Sequence, residues 1–159
     1  MRIWKFGDLI DTDQIIAGTY LQLNDPAELA KHLFEKLRPE MAGQVQAGDI
    51  IIAGRRLGIG SSREQAVLAI KGAGVRLVAA ESFARIFFRN AVNLGLPLLE
   101  VPDAGQIRED EEIAISETGI ISLSSGREYK ARPLAPFIRN ITEAGGLMAY
   151  VRRNLVKGG

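Results

Sequence analysis

Apolar positions along the chain follow two periods. Asp49 to Ala53, Val75 to Ala80 and Leu96 to Val101 are short, nearly unbroken apolar runs, as strands covered on both faces require. The intervening segments have helical spacing. One helix opens at Ser61 or Ser62 and runs to about Lys71, where Gly72 and Gly74 end it. A second is capped by Ser82, passes through Phe83, Ile86, Phe87 and Val92, and stops at Gly95. Strand, helix, strand, helix, strand in that order predicts a parallel core with right-handed crossovers.

The flanking segments are shorter. Arg2 to Phe6 alternates basic and apolar residues like a half-exposed strand, and an acidic loop, Asp8 to Asp13, follows it. Asp25 has the features of an N-cap, with Pro26 at the first helical position and Glu28 three residues past the cap. Leu29, Leu33, Phe34 and Leu37 then form the buried stripe. Glu112 to Ser116, Ile120 to Leu123 and Arg127 to Ala131 read as antiparallel strands, with a turn at Ser124-Ser125-Gly126. Two helices, Leu134 to Ala144 and Leu147 to Asn154, are separated by Gly145-Gly146. Neither a repeat nor a charged linker interrupts residues 1–159. The expected fold is therefore one α/β domain, a parallel βαβαβ core with added antiparallel strands.

Composition narrows the chemistry. The chain carries 20 Lys and Arg against 19 Asp and Glu, a balance that gives no reason to expect nucleic acid or a membrane surface as partner. It has no cysteine, so disulfides, a thiolate nucleophile and thiolate ligation of an iron–sulfur cluster are excluded for this chain. The single histidine, His32, argues against a zinc site and is expected to be a surface or packing residue. Residues Met1 to Asp8 lack the apolar stretch of a secretory signal, and runs such as Ile50 to Ala53 are too short to span a bilayer. The expected location is cytoplasmic.

One stretch concentrates candidate chemistry. Gly58-Ile59-Gly60-Ser61-Ser62-Arg63-Glu64-Gln65 lies between a predicted strand and a predicted helix start. The positive end of a helix dipole favours an anion there, glycines permit close approach, and Arg63 offers a planar fork for a carboxylate or phosphate. Ser61 and Ser62 place hydroxyls at the same point. The spacing of Ser61 and Glu64 equally fits a capping box with no role beyond the helix. The run is neither a Walker loop nor GxGxxG, because Gly-Lys-Ser/Thr is absent and Arg63 replaces the last glycine.

Four stretches in order decide between these readings. Asp11-Thr12-Asp13-Gln14-Ile15-Ile16, Gly60 to Ala66, Ser82 to Asn90 and Glu143-Ala144-Gly145-Gly146-Leu147 together resemble the small, cluster-free subunits of the aconitase superfamily. The resemblance implies a swivelling three-layer β/β/α domain. It implies a partner, a large subunit holding a [4Fe–4S] cluster, and no cofactor or metal on this chain. The implied reaction isomerises a hydroxy-dicarboxylate by removing water and adding it back the other way round. Carried over by motif, Ser61 is the base that takes the carbon-bound proton, and Ser62 and Arg63 bind a substrate carboxylate. Asp13 is the aspartate near that base. A serine alkoxide requires preorganised positive potential around it, and the leaving hydroxide requires a Lewis acid, which the cluster on the large subunit supplies.

The loop after the Asp-Thr-Asp motif is implied to sense the substituent beside the reacting carbons. Here it is Ala17-Gly18-Thr19-Tyr20-Leu21-Gln22-Leu23, without charge. Tyr20, Leu21 and Leu23 suit an isopropyl group, whereas a buried third carboxylate would lack a cation. Isopropylmalate, and with it leucine biosynthesis, is favoured over homoaconitate and dimethylmalate, although Ala17 and Thr19 depart from the family's usual proline and arginine. The loop also fits a plain hydrophobic staple before Asp25. Arg85 and Arg89, one turn apart, face solvent, the partner or the site, and Arg55 and Arg56 contact the large subunit or solvent. Asp8 and Asp11 shape their loop. A stand-alone module binding carboxylate or phosphate is the reading outside enzymes.

Overall fold

The computed structural model describes residues 1–158. Strands β1 (Ile3–Lys5), β2 (Ile50–Ala53), β3 (Leu77–Ala80) and β4 (Leu98–Glu100) form one parallel sheet in sequential order. Ile51 pairs with Trp4 on one side and Val78 on the other. Successive side chains of these strands point to opposite faces, and both faces are buried. Trp4, Ile51, Ala53, Val78, Ala80 and Leu98 join one core, which also holds Leu29, Val67, Ile70 and Phe87 from the helices. Ile3, Ile50, Ile52, Leu77, Ala79 and Leu99 join a second core with Ile113, Ile120 and Tyr129.

That division produces three layers. Helices α2 (Pro26–Ala30), α4 (Glu64–Gly72) and α5 (Arg85–Leu94) cover one face of the parallel sheet. The other face is covered by an antiparallel sheet of β5 (Ile113–Ser116), β6 (Gly119–Ser122) and β7 (Glu128–Lys130). Sequential strand order with all three of these crossover helices on one side is what crossovers of a single hand generate. The short helices α1 (Thr12–Ile15) and α3 (Met41–Gln44) occupy the connections, and α6 (Pro136–Glu143) and α7 (Leu147–Gly158) end the chain. The α/β expectation holds, and β1 adds a fourth parallel strand to the predicted core.

Several local expectations are corrected. The first strand is not half-exposed: Ile3 and Trp4 are buried on opposite sides of the sheet. The Asp25 helix stops at Ala30, so Leu33 and Phe34 are buried from turns and Leu37 is 39% exposed. Neither predicted serine cap exists. Helix α4 starts at Glu64 with Arg63 as N-cap and no side-chain bond, and α5 starts after Ala84. Ser82 Oγ instead accepts from the Arg56 N–H at 2.8 Å, which ties two loops together. The expected Asp25 cap and the Gly95 stop are both present.

Asp49 fixes the opposite end of β2. It is 4% exposed and accepts from the Arg2 N–H, Trp4 Nε1 and the Gln46 N–H at 2.9, 3.0 and 2.9 Å. Burial disfavours its charge, yet these donors outweigh burial and hold its carboxyl below the ordinary value. A buried carboxylate this well supplied with donors locks the amino-terminal strand to its neighbour.

Candidate active site

Three loops leave the carboxyl ends of β1, β2 and β3, the usual place for a ligand crevice in a parallel sheet. Isolated parallel bridges join Asp11 to Ile59 and Leu57 to Phe83. The Thr12 N–H donates to the Ile59 carbonyl at 2.9 Å, the Gly58 N–H to Ile10 at 2.8 Å, and the Ala84 N–H to Leu57 at 2.9 Å. The middle loop is thus held from both sides. Gly58 has φ +90°, and a Cβ there would lie 2.3 Å from Phe87 Cβ and Cγ, so only glycine lets the loop lie on α5.

These ties set the position of the serines. Thr12 is buried, and its Oγ1 donates to the Ser61 carbonyl at 2.7 Å. Ser61 and Ser62 are themselves exposed residues just ahead of α4. Asn90 Nδ2, on α5, donates to Ser62 Oγ at 3.4 Å. Asp11, which caps α1 in a reciprocal pairing with Gln14, does shape its loop as expected.

Arg63 and Asp13 form the charged part of the corner. Arg63 Nη1 donates to Asp13 Oδ1 at 2.9 Å and to the Ile16 carbonyl at 3.0 Å. The Gly18 N–H reaches the same carboxylate oxygen at 3.0 Å, and Lys36 Nζ donates to Oδ2. Lys36 first, then Arg63 and the Gly18 amide, hold the Asp13 carboxyl far below the usual carboxylate range. Asp13 is therefore an anchor for cations at neutral pH and has no proton to give. The Arg63 side chain is only 17% exposed, and its Nε is buried without a partner.

The uncharged loop is a 3-10 turn over Gly18–Tyr20. Tyr20 stacks on His32 with ring centroids 3.8 Å apart, and nearby Glu35 raises its phenol pKa. His32 is thus a packing residue. Tyr20 and Leu23 both pack partly against the helical core. Leu21 is half-buried, and its carbonyl accepts from Gln65 Nε2 on α4 at 3.1 Å. This bond sets the loop beside the helix that follows Arg63.

The remaining arginines divide. Arg55 pairs with Asp8 at 3.0 Å, whereas exposed Arg85 and Arg89 line a groove between α5 and α6 with Phe88, Phe137 and Ile141. Among the described residues no group of three or more His, Cys, Asp or Glu could hold a metal ion. Lys36 and Thr12 belong to the corner but were not singled out by sequence reasoning. Thr12 lies inside the quoted motif, whereas Lys36 is 23 residues from Asp13 with no local signal.

Residues 40–104 match the family model described as the aconitase C-terminal domain. The chain is 51% identical over 154 residues to the 3-isopropylmalate dehydratase small subunit of Methanosarcina mazei, covering 96% of this chain and 95% of that one. The small subunit of Aquifex aeolicus is 52% identical over 158 residues, at 97% and 94% coverage. A crystal structure of 3-isopropylmalate dehydratase from Methanocaldococcus jannaschii superposes with a TM-score of 0.91 at 41% identity, over 99% of this chain and 95% of that one. This chain belongs to the family of 3-isopropylmalate dehydratase small subunits.

Proposed function

We propose that this chain, acting as one domain over residues 1–159, is the small subunit of a cytoplasmic hydro-lyase that interconverts 2-isopropylmalate and 3-isopropylmalate in leucine biosynthesis. The observation that carries this reading is the corner itself: exposed Ser61 and Ser62 beside an Arg63 whose guanidinium is fixed by Asp13. The names of relatives at about half identity over nearly the whole chain support the same reaction.

Ser61 Oγ takes the proton from the carbon beside a carboxylate, and the hydroxyl on the adjacent carbon departs. Re-addition on the other carbon reverses both steps. The bond from the Thr12 side-chain hydroxyl to the Ser61 carbonyl holds the base in register, and the positive end of α4 together with Arg63 lowers the cost of its alkoxide. Arg63 and Ser62 bind the carboxylate. With no cysteine, this chain does not fit the ligation of a [4Fe–4S] cluster. The proposed partner, a large subunit, carries that group, and no step of this chain runs through it. Tyr20, Leu21 and Leu23 supply the apolar side that accepts the isopropyl group, with half-buried Leu21 the nearest candidate for direct contact.

The test is anaerobic co-purification with the large subunit, followed by parallel assays of isopropylmalate, homoaconitate and dimethylmalate. Turnover is expected only from the complex, with isopropylmalate the best substrate. Turnover by this chain alone, or a complex inert on isopropylmalate, overturns the proposal.

A further inference from the structure

Asp13 uses both of its oxygens. Oδ1 accepts from Arg63 Nη1 at 2.9 Å and the Gly18 N–H at 3.0 Å, while Oδ2 accepts from Lys36 Nζ. Lys36 reaches this point from the turns between α2 and α3, outside every motif that defines the corner. Its side chain is 53% exposed and that of Asp13 42%, so the pair adds little to folding stability. Charge is where it matters. Asp13 and Arg63 alone form a neutral pair, and a neutral pair attracts a carboxylate weakly. The adjoining loop from Ala17 to Leu23 contributes no charge.

We propose that Lys36 is a positioning residue of the substrate-binding corner: by sharing the Asp13 carboxylate it leaves Arg63 anchored while the three side chains keep one net positive charge toward a bound carboxylate. The inference rests on the carboxylate-binding reading of Arg63 given above. Lys36 satisfies the outer oxygen of Asp13, so the aspartate can hold Arg63 without cancelling the local positive potential. One unit charge at this partly exposed distance corresponds to roughly a three- to tenfold change in affinity for a carboxylate.

Two measurements test it. In the complex with the large subunit, Lys36→Met should raise KM for isopropylmalate about three- to tenfold with kcat within about twofold, Lys36→Glu should raise it further, and Lys36→Arg should restore it. An unchanged KM in Lys36→Met, or a loss that Lys36→Arg fails to rescue, overturns the inference. In the full chain on its own, carbon-13 NMR should show the Asp13 carboxyl titrating higher in Lys36→Met than in the wild type, and an unchanged titration overturns the shared carboxylate. A complex with no activity on isopropylmalate would remove the proposed substrate, and the NMR result would still decide whether Lys36 shares Asp13.

Discussion

Arg63 Nη1 bonds to Asp13 Oδ1 at 2.9 Å across a sequence separation of 50 residues, and the same nitrogen reaches the Ile16 carbonyl at 3.0 Å. The guanidinium is thus clamped to the first loop although it belongs to the second. Its exposure of 17% also makes this the better-protected of the two ion pairs at Asp13. Asp13→Asn keeps the shape and one acceptor but removes the charge. A charge-assisted bond contributes about 1.5–3 kcal/mol, so kcat/KM of the complex should fall roughly ten- to a hundredfold. Steady-state kinetics on isopropylmalate check this, and a value within twofold of wild type would separate Asp13 from the site.

Ser61 and Ser62 are adjacent yet held differently, one by its carbonyl through Thr12 and the other by its hydroxyl through Asn90. Loss of a general base lowers turnover by about 10²–10⁴. Ser61→Ala is therefore expected to lower kcat by that order with little change in KM. Ser62→Ala should mainly raise KM, by about fivefold for one neutral hydrogen bond. The reverse pattern in the same assay would exchange the two roles.

Asp49 sets an acid limit on stability. Its folded carboxyl is held below the ordinary value, so its contribution is complete above the unfolded pKa of about 3.9 and is lost as pH falls through the folded value. Asp49→Ala would strip three donors of their shared acceptor, at a cost of about 2–4 kcal/mol at neutral pH. Urea titrations from pH 7 downward should show the gap between wild type and Asp49→Ala narrowing below about pH 4. A gap that stays constant to pH 2 would mean that charge is not what Asp49 contributes.

The parallel core was legible because its strands are apolar on both faces, which leaves unbroken runs such as Ile50 to Ala53. The serines were legible as a candidate site only through four motifs taken together. Local grammar misled at the helix starts: Ser61 and Ser82 precede helices by the right kind of spacing, but tertiary bonds from Thr12 and Arg56 place them in loops. Burial also outran helix length, since Leu33 and Phe34 reach the core from turns, Phe34 with φ +51°. Lys36 could not be read at all, because its partner is set by how the turns after α2 fold back over the first loop.

Gly58 tests whether the middle loop must touch α5. Gly58→Ala combines a positive φ with a Cβ 2.3 Å from Phe87. The strain and overlap should cost about 2–4 kcal/mol in denaturant unfolding. Gly7→Ala, where a Cβ would meet nothing within 4 Å, is the matched control; it should change stability by less than about 0.5 kcal/mol. Equal stability of the two variants would show that the loop does not need its seat on Phe87.

The proposed selectivity rests on a loop with apolar side chains and no charge. Tyr20 and Leu23 are partly committed to packing against the core, so changing either would disturb folding as well as substrate choice. Leu21 is half-buried, and its tie to Gln65 runs through the main-chain carbonyl, which any residue supplies. Leu21→Arg therefore alters the side chain while keeping the bond that seats the loop. An arginine there offers a cation to a third carboxylate and places an unpaired charge beside an isopropyl group, attraction for one substrate and penalty for the other. The ratio of kcat/KM for homoaconitate to that for isopropylmalate should rise about tenfold or more, with the unfolding midpoint little moved. An unchanged ratio in a well-folded Leu21→Arg complex would assign selectivity to the large subunit.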